Sequence, residues 1–270
     1  MLVVTAGSVL LMWLGELITE FGIGNGVSLI IFAGIVSAVP GIFGQLLFTF
    51  EQSQIPQYLL LFALVLLVIG GVVIITEAER PIPVTYAKRV RGSKVYGGLS
   101  TYLPLRLNQA GVIPIIFALS ILLFPQTIAT FFAQAQNDIV RGIAAAVLSG
   151  LGNTWIYAGL YFVFVVFFTY FYTAITFDPQ SIATNLQKNG AFIPGVRPGL
   201  STAEHLSRIL TRLTLFGSFF LGSIAVLPII VRALTNISSL AIGGTALLIV
   251  VSVVIDLVKK IDSQVSLREY

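Results

Sequence analysis

Apolar residues in this chain run on in long blocks, without the strict alternation of half-buried strands or the single apolar stripe of a surface helix. A helix needs about 20 mostly apolar residues to cross roughly 30 Å of hydrocarbon. The sequence offers six such stretches and a shorter one at its start: Met1–Ile18, Val27–Phe48, Tyr58–Ile75, Asn108–Phe132, Trp155–Ile175, Ile209–Val231 and Gly243–Val258. Each is predicted to be helical, because a backbone in lipid must satisfy its own hydrogen bonds and these runs are far too long for barrel strands. The pattern therefore predicts an all-α fold, a polytopic bundle of transmembrane helices. Two polar segments of about 30 residues, 77–107 and 176–208, interrupt it. They are too long for connectors and too rich in Gly, Pro, Lys and Arg to be buried.

Composition agrees. Of 270 residues, 57% are hydrophobic and only 10% charged, against about 25% charged in an ordinary soluble domain. So little polar surface cannot cover one large soluble domain. The charges are also unevenly placed. Arg80, Lys88, Arg89, Arg91, Lys94 and Arg106 fall in the first long loop; Lys188, Arg197, Arg208 and Arg212 fall in or beside the second; Lys259, Lys260 and Arg268 fall in the tail. The opposite loops hold Arg141 and Arg232. By the positive-inside rule, both long loops and the C-terminus are expected in the cytosol and the N-terminus of the first span outside. Met1 leads straight into apolar sequence with no basic n-region or small-residue cleavage site, so a signal peptide is not expected. An odd number of spans entered from outside reads as a chain that begins in the middle.

Candidate chemistry is sparse. The absence of cysteine excludes disulfides, thiolate metal sites and cysteine nucleophiles, and one histidine, His205, cannot make a histidine cluster. Neither metal nor cofactor is expected. Glu16 and Asp256 lie near span ends, and Asp256 is spaced to pair with Lys259 or Lys260. Gly22-Ile23-Gly24-Asn25-Gly26 lacks the preceding strand and following Lys-Ser/Thr of a phosphate loop. It suits a tight reversal between the first two spans, with Ser28 free to satisfy backbone donors at the next helix start. The fourth span carries Asn108, Gln109 and Ser120. Pro104 precedes it, Pro114 interrupts it and Pro125 sits near its far end, so a kinked helix beside a partly polar cavity is expected.

Taken together, several motifs resemble the SecY family, the channel subunit of the Sec protein translocon. They are Met12-Trp13-Leu14-Gly15-Glu16, Gly22 to Gly26 running into Ser28-Leu29-Ile30-Ile31, Tyr86-Ala87-Lys88-Arg89, Leu103-Pro104-Leu105-Arg106-Leu107-Asn108, Ala110-Gly111-Val112-Ile113-Pro114, Gly190 to Gly199, Thr211-Arg212-Leu213-Thr214 and Gly243 to Val251. They keep their order along essentially the whole chain. The resemblance implies an inverted-repeat channel whose N-terminal part is missing here, the seven spans matching the family's fourth to tenth helices. Residues 1–44 would end the N-terminal half, 45–57 form the hinge, 58–258 make the five-helix C-terminal half, and 259–270 a cytosolic tail.

The resemblance further implies an apolar pore constriction at Val27, Ile31, Ile116 and Ile249, with Val27 standing where isoleucine is usual. A lateral gate would include Asn108, Pro114 and Ser120. Cytosolic docking would fall to Arg80, Lys88, Arg89, Arg91, Lys94 and Arg197. An apolar constriction can gate by dewetting and yield around any passing chain. The implied work is translocation of unfolded secretory polypeptides and lateral release of transmembrane segments into membrane lipid, without catalysis. Implied partners are SecE-like and SecG-like subunits, the SecA motor ATPase, the ribosome through its RNA phosphates, and signal sequences or nascent chains. A bacterial plasma membrane or a thylakoid would house it. A secondary transporter of small solutes is the alternative; it would need polar groups on broken helices at the midplane, which the apolar span centres do not offer.

Overall fold

The computed structural model describes residues 2–22, 25–48, 55–86, 89–91, 94–96, 100–235 and 244–268. The chain divides into two compact units, residues 1–73 with 227–270, and residues 74–226.

In the first unit, α1 (Leu2–Glu20) and α2 (Gly26–Phe48) lie side by side, and α9 (Gly244–Arg268) packs on α2. Small residues set the α1–α2 spacing. A Cβ on Gly26 would stand 1.9 Å from the Gly15 carbonyl oxygen, and one on Gly15 would stand 3.0 Å from Val27 Cγ2. Thr19 fastens the crossing: its hydroxyl donates to the Gly15 carbonyl at 2.8 Å and accepts from the Gly26 N–H at 2.9 Å. Gly22, at φ +80°, makes the reversal, and its carbonyl accepts from Gln264 Nε2 of α9 at 2.9 Å. The cap of α2 is Asn25, whose Oδ1 accepts from the Ser28 N–H at 3.2 Å. Ser28 therefore does not cap, contrary to expectation, because the helix already starts at Gly26 and places Ser28 inside its first turn. The first part of α3 (Ile55–Glu77) completes this unit with the end of α8 (Leu200–Thr235). Among the residues of α1 only Gly15 is buried, an exposure of apolar surface that lipid tolerates and water does not.

The second unit joins a membrane-type helix set to a small sheet. α4 (Ile113–Phe132) and α6 (Thr154–Thr176) are neighbours, linked through α5 (Asp138–Gly152). Their buried positions, Ile115, Ala118, Leu122 and Ala129 on α4 and Ala158, Tyr161, Val165, Thr169 and Thr173 on α6, recur at three- and four-residue spacing. That is the spacing of one helix face meeting another. Phe117 and Phe168 stack between them at 5.8 Å. α8 approaches α6 closely at Gly222, where a Cβ would meet the Phe162 ring at 2.8 Å.

The sheet has the order β4-β1-β5. β1 (Glu79–Tyr86) runs antiparallel to β4 (Ser100–Arg106) in register from Glu79↔Arg106 to Thr85↔Ser100. β5 (Ala191–Phe192) adds to β1 at Thr85 and Tyr86 only. Pro81 and Pro83 thus fall where β1 has one strand partner, the place a sheet tolerates a residue without an N–H. Beyond β1, β2 (Arg89–Arg91) pairs with β3 (Lys94–Tyr96). Ile82, Val84 and Leu105 pack with Ala191, Ile193 and with Leu206 and Ile209 of α8 into one buried cluster. α7 (Pro179–Lys188) closes it with Ile182 and Leu186. The second basic loop is thus a helix, a strand and the first turns of α8.

Each expected span falls on a helix, with three differences. Pro114 does not interrupt the fourth span: α4 begins at Ile113 and holds Pro114 in its first turn, where its missing N–H would have had no partner. The proline inside α4 is Pro125. Residues 138–152, unassigned from the sequence, form α5, and α8 begins nine residues before its expected apolar run. Among the described residues, four stretches are long and apolar enough to cross a bilayer: Leu2–Glu20, Ile113–Phe132, Thr154–Lys188 and Leu200–Ala233. Gly26–Gly41 and Phe62–Glu77 are shorter apolar helices.

Candidate functional site: a basic platform joined to a helix start

The two basic loops, separate in sequence, build one platform. β5 carries the second loop onto β1 of the first, and Ile193 just beyond it is buried in the shared cluster. The chain then turns at Gly195 (φ +82°) and Gly199 (φ +98°), positions an L side chain would strain. Between them Arg197 is exposed. Its backbone is held: the hydroxyl of buried Thr202 donates to the Arg197 carbonyl at 2.8 Å, and the N–H groups of Thr202 and Ala203 donate to Gly199 O at 3.0 and 3.1 Å. The guanidinium therefore projects from a fixed turn. Neither Thr202 nor this clamp was anticipated; a threonine three residues beyond the Gly195-Val196-Arg197-Pro198-Gly199 turn is the sequence signal for it.

Asp178 caps α7, accepting from the Gln180 N–H at 2.9 Å and from the Ser181 hydroxyl. The Ser181 and Gln180 hydrogen bonds hold its carboxyl below the ordinary value. At the base of the sheet, Arg106 Nε lies 3.5 Å from Glu79 Oε1. Arg80 is exposed beside it, five residues from Thr85 and so roughly 16 Å along the strand from where β5 joins, at about 3.3 Å per residue. Arg80 therefore sits apart from the Arg197 turn. Lys88 lies outside the described residues; for Arg89, Arg91 and Lys94 only the β2–β3 backbone is described.

The platform is tied to the start of α4. The Leu107 N–H donates to Ala78 O at 2.9 Å, closing the β1–β4 hairpin. The Leu107 carbonyl reaches Gly217 of α8 so closely that a Cβ there would stand 2.5 Å away. Asn108 follows, outside the helix where a span position was expected. Its Nδ2 donates to Gly111 O at 3.2 Å, while its Oδ1 is buried with no donor among the described residues. Leaving such an acceptor unmet costs about 1–3 kcal/mol. Ser120 is exposed and spends its hydroxyl on the Ile116 carbonyl of its own helix at 2.8 Å.

The residues expected to form a constriction divide between the units. Val27 and Ile31 lie one turn apart on α2, with Val27 against Gly15, and Ile249 is buried on α9, α2's neighbour. Ile116, on α4, belongs to the second unit and is half-buried.

Long apolar helices with exposed apolar faces define an integral membrane protein of several helices. The SecY family model matches residues 1–258, and the chain belongs to the SecY family. It is similar to the protein translocase subunit SecY of Mycobacterium bovis, 45% identical over 276 aligned residues that take in 100% of this chain and 62% of that protein. The subunit of the same name from Thermus thermophilus is 46% identical over 269 residues, 98% of this chain and 60% of that protein. The chain thus spans about three-fifths of the length of the curated relatives it matches. Two solved structures share the fold. One, described as "The structure of a protein conducting channel", has a TM-score of 0.58 at 21% identity and covers 94% of this chain and 62% of its own. The other, a SecY structure concerned with the plug domain and the closed channel, has a TM-score of 0.59 at 20% identity and covers 94% and 63%.

Proposed function

We propose that this chain lines a protein-conducting channel, acting with the remainder of a longer protein or assembly to pass unfolded polypeptides across a membrane and release apolar segments sideways into lipid. Its relatives bear the name protein translocase subunit. The observation that carries the reading is the joining of both basic loops into one sheet whose β4 leads directly, through Leu107 and Asn108, into α4. A force on the platform has a short, packed route to that helix.

Val27, Ile31, Ile116 and Ile249 form the apolar constriction, free of charges that would trap some chains and admit ions. Asn108, Pro114 and Ser120 mark the lateral gate, and the unmet acceptor of Asn108 gives an incoming donor something to bind. Residues 1–44 end the N-terminal half and residues 58–258 make the C-terminal half, hinged at 45–57. Arg197, Arg80 and the cations Lys88, Arg89, Arg91 and Lys94 dock on cytosolic partners, the phosphates of ribosomal RNA or the motor ATPase SecA. SecE-like and SecG-like subunits complete the channel. The basic loops face the cytosol by their charge, and the membrane is a bacterial plasma membrane or, alternatively, a thylakoid. The channel performs no bond chemistry of its own.

Charge reversal at Arg197 tests the docking. In the full-length protein reconstituted with its partner subunits, Arg197→Glu is expected to weaken SecA binding by about tenfold, on the order of 1.4 kcal/mol, and to slow translocation with it. Parent-like binding and translocation would remove Arg197 from the docking surface.

A further inference from the structure

α5 is 15 residues long, about 22 Å at 1.5 Å per residue, too short to cross roughly 30 Å of hydrocarbon. It is closed at both ends. Asn137 Oδ1 accepts from the Ile139 N–H at 3.0 Å, and the Asn153 N–H donates to Gly150 O at 3.3 Å. Asn153 then starts α6 by accepting from the Trp155 N–H at 3.0 Å. α5 therefore lies at the end of α4 and α6 away from the sheet, as a separate capped helix.

Its surface has two characters. Asp138, Arg141, Ala145 and Ser149 share one arc at 3.6 residues per turn, with Arg141 Nη2 2.6 Å from Asp138 Oδ1. Ile139, Ile143 and Ala146 share another, and the two isoleucines are 73% and 62% exposed. Beside the apolar arc is a groove of about 320 Å³, walled by Phe124, Ile128 and Phe132 of α4 and Val140, Ile143 and Val147 of α5. It is large enough for several waters, yet every wall residue is apolar and offers them no side-chain partner. Phe124, Ile128 and Phe132 are themselves exposed, so the groove continues the lipid-facing surface of a membrane-crossing helix. Trp155 is 61% exposed at the first turn of α6, and indoles gather at membrane–water boundaries.

We propose that α5 is an interfacial helix, embedded by its Ile139–Ile143–Ala146 edge in the leaflet opposite the basic platform, and that the α4–α5 groove holds a phospholipid acyl chain of that leaflet. Its Arg141–Ser149 face lies toward water and headgroups. The groove gives the acyl chain a fixed apolar seat against α4, so lipid at this place packs as part of the helix pair.

This sequence has no cysteine, so in the full-length protein, with any cysteine elsewhere replaced, a single introduced thiol takes a bimane label cleanly. The variants Ile143→Cys, Ala146→Cys, Arg141→Cys, Ser149→Cys and, in the groove, Val147→Cys are reconstituted in vesicles of phosphatidylethanolamine and phosphatidylglycerol. Bimane quenching is read with acyl-brominated versions of those lipids and with aqueous iodide. Brominated lipid is expected to quench positions 143, 146 and 147 several-fold more than 141 and 149, with iodide giving the reverse order. Equal quenching on both faces, or iodide quenching strongest at 143, would place α5 in water. Absence of quenching by either reagent at 143 and 146 would mean protein covers the edge. Quenching at 143 but not at 147 would empty the groove of lipid. Any of these three results overturns the proposal as stated.

Discussion

Gly26 is the sharpest structural test, because the contact it permits is backbone on backbone. An alanine Cβ there would stand 1.9 Å from Gly15 O and 2.8 Å from Ile18 Cβ, so it falls about 1.5 Å short of ordinary contact at 3.4 Å with the first of these. A carbonyl on a regular helix cannot swing aside as a side-chain end does, so α1 and α2 must separate. Separation also stretches the 2.9 Å bond from the Gly26 N–H to Thr19. Overpacking of this kind costs about 1–3 kcal/mol, and the lost hydrogen bond about 0.5–1.5 kcal/mol. The helix-propensity gain of alanine over glycine returns at most about 1 kcal/mol. Gly26→Ala is therefore expected to destabilise by about 2–3 kcal/mol, or roughly 4–12 °C in Tm for a domain of this size. Gly34→Ala, two turns further along α2 with nothing within 4 Å of its added Cβ, is the control and is expected to be neutral or slightly stabilising. Thermal unfolding of the purified protein in detergent, at one fixed scan rate, compares the two. Equal midpoints for Gly26→Ala and Gly34→Ala would refute a backbone-tight crossing.

Two further expectations concern the platform. Thr202→Val removes the hydroxyl that holds the Arg197 carbonyl while leaving the guanidinium in place; partner binding is expected to fall several-fold, with about 1 kcal/mol of stability lost, and unchanged binding would show that the turn needs no clamp. Asp178 holds the start of α7 with a carboxyl below its ordinary value of 3.8, so its contribution is complete above that value and disappears as pH falls through the lower, folded value. Amide exchange protection in α7, corrected for intrinsic rates, is expected to be level above about pH 4 and to drop below it, while Asp178→Asn shows no such step.

The legible part of this protein was whatever depends on chain-local physics. Apolar runs must become helices in lipid, since no other local structure satisfies the backbone there, and each of the expected spans falls on a helix. Gly22 and Asn25 were readable as a reversal because positive φ and side-chain capping act over a few residues, although the cap itself passed from Ser28 to Asn25. Pro114 shows the limit: a proline within an apolar run looks the same whether it bends a helix or begins one, and only the preceding backbone, turned by Gly111 at φ +62°, decides. α5 was missed because its alanines and glycines carry too weak an apolar signal to stand out beside true spans.

The sequence alone determined a membrane protein of several helices, the family resemblance through its ordered motifs, and the concentration of cations in two loops. Only the tertiary structure decided that those loops are one object. Phe192 meets Thr85 across more than a hundred residues of intervening chain, and the reward for that pairing, burial of Ile82, Val84, Ile193 and Leu206 in a shared cluster, is spread over both loops and α8. No local window contains it. Long-range pairing of this kind is stabilised by surfaces that meet only after the chain has folded, so pattern and propensity carry no trace of which strands will meet.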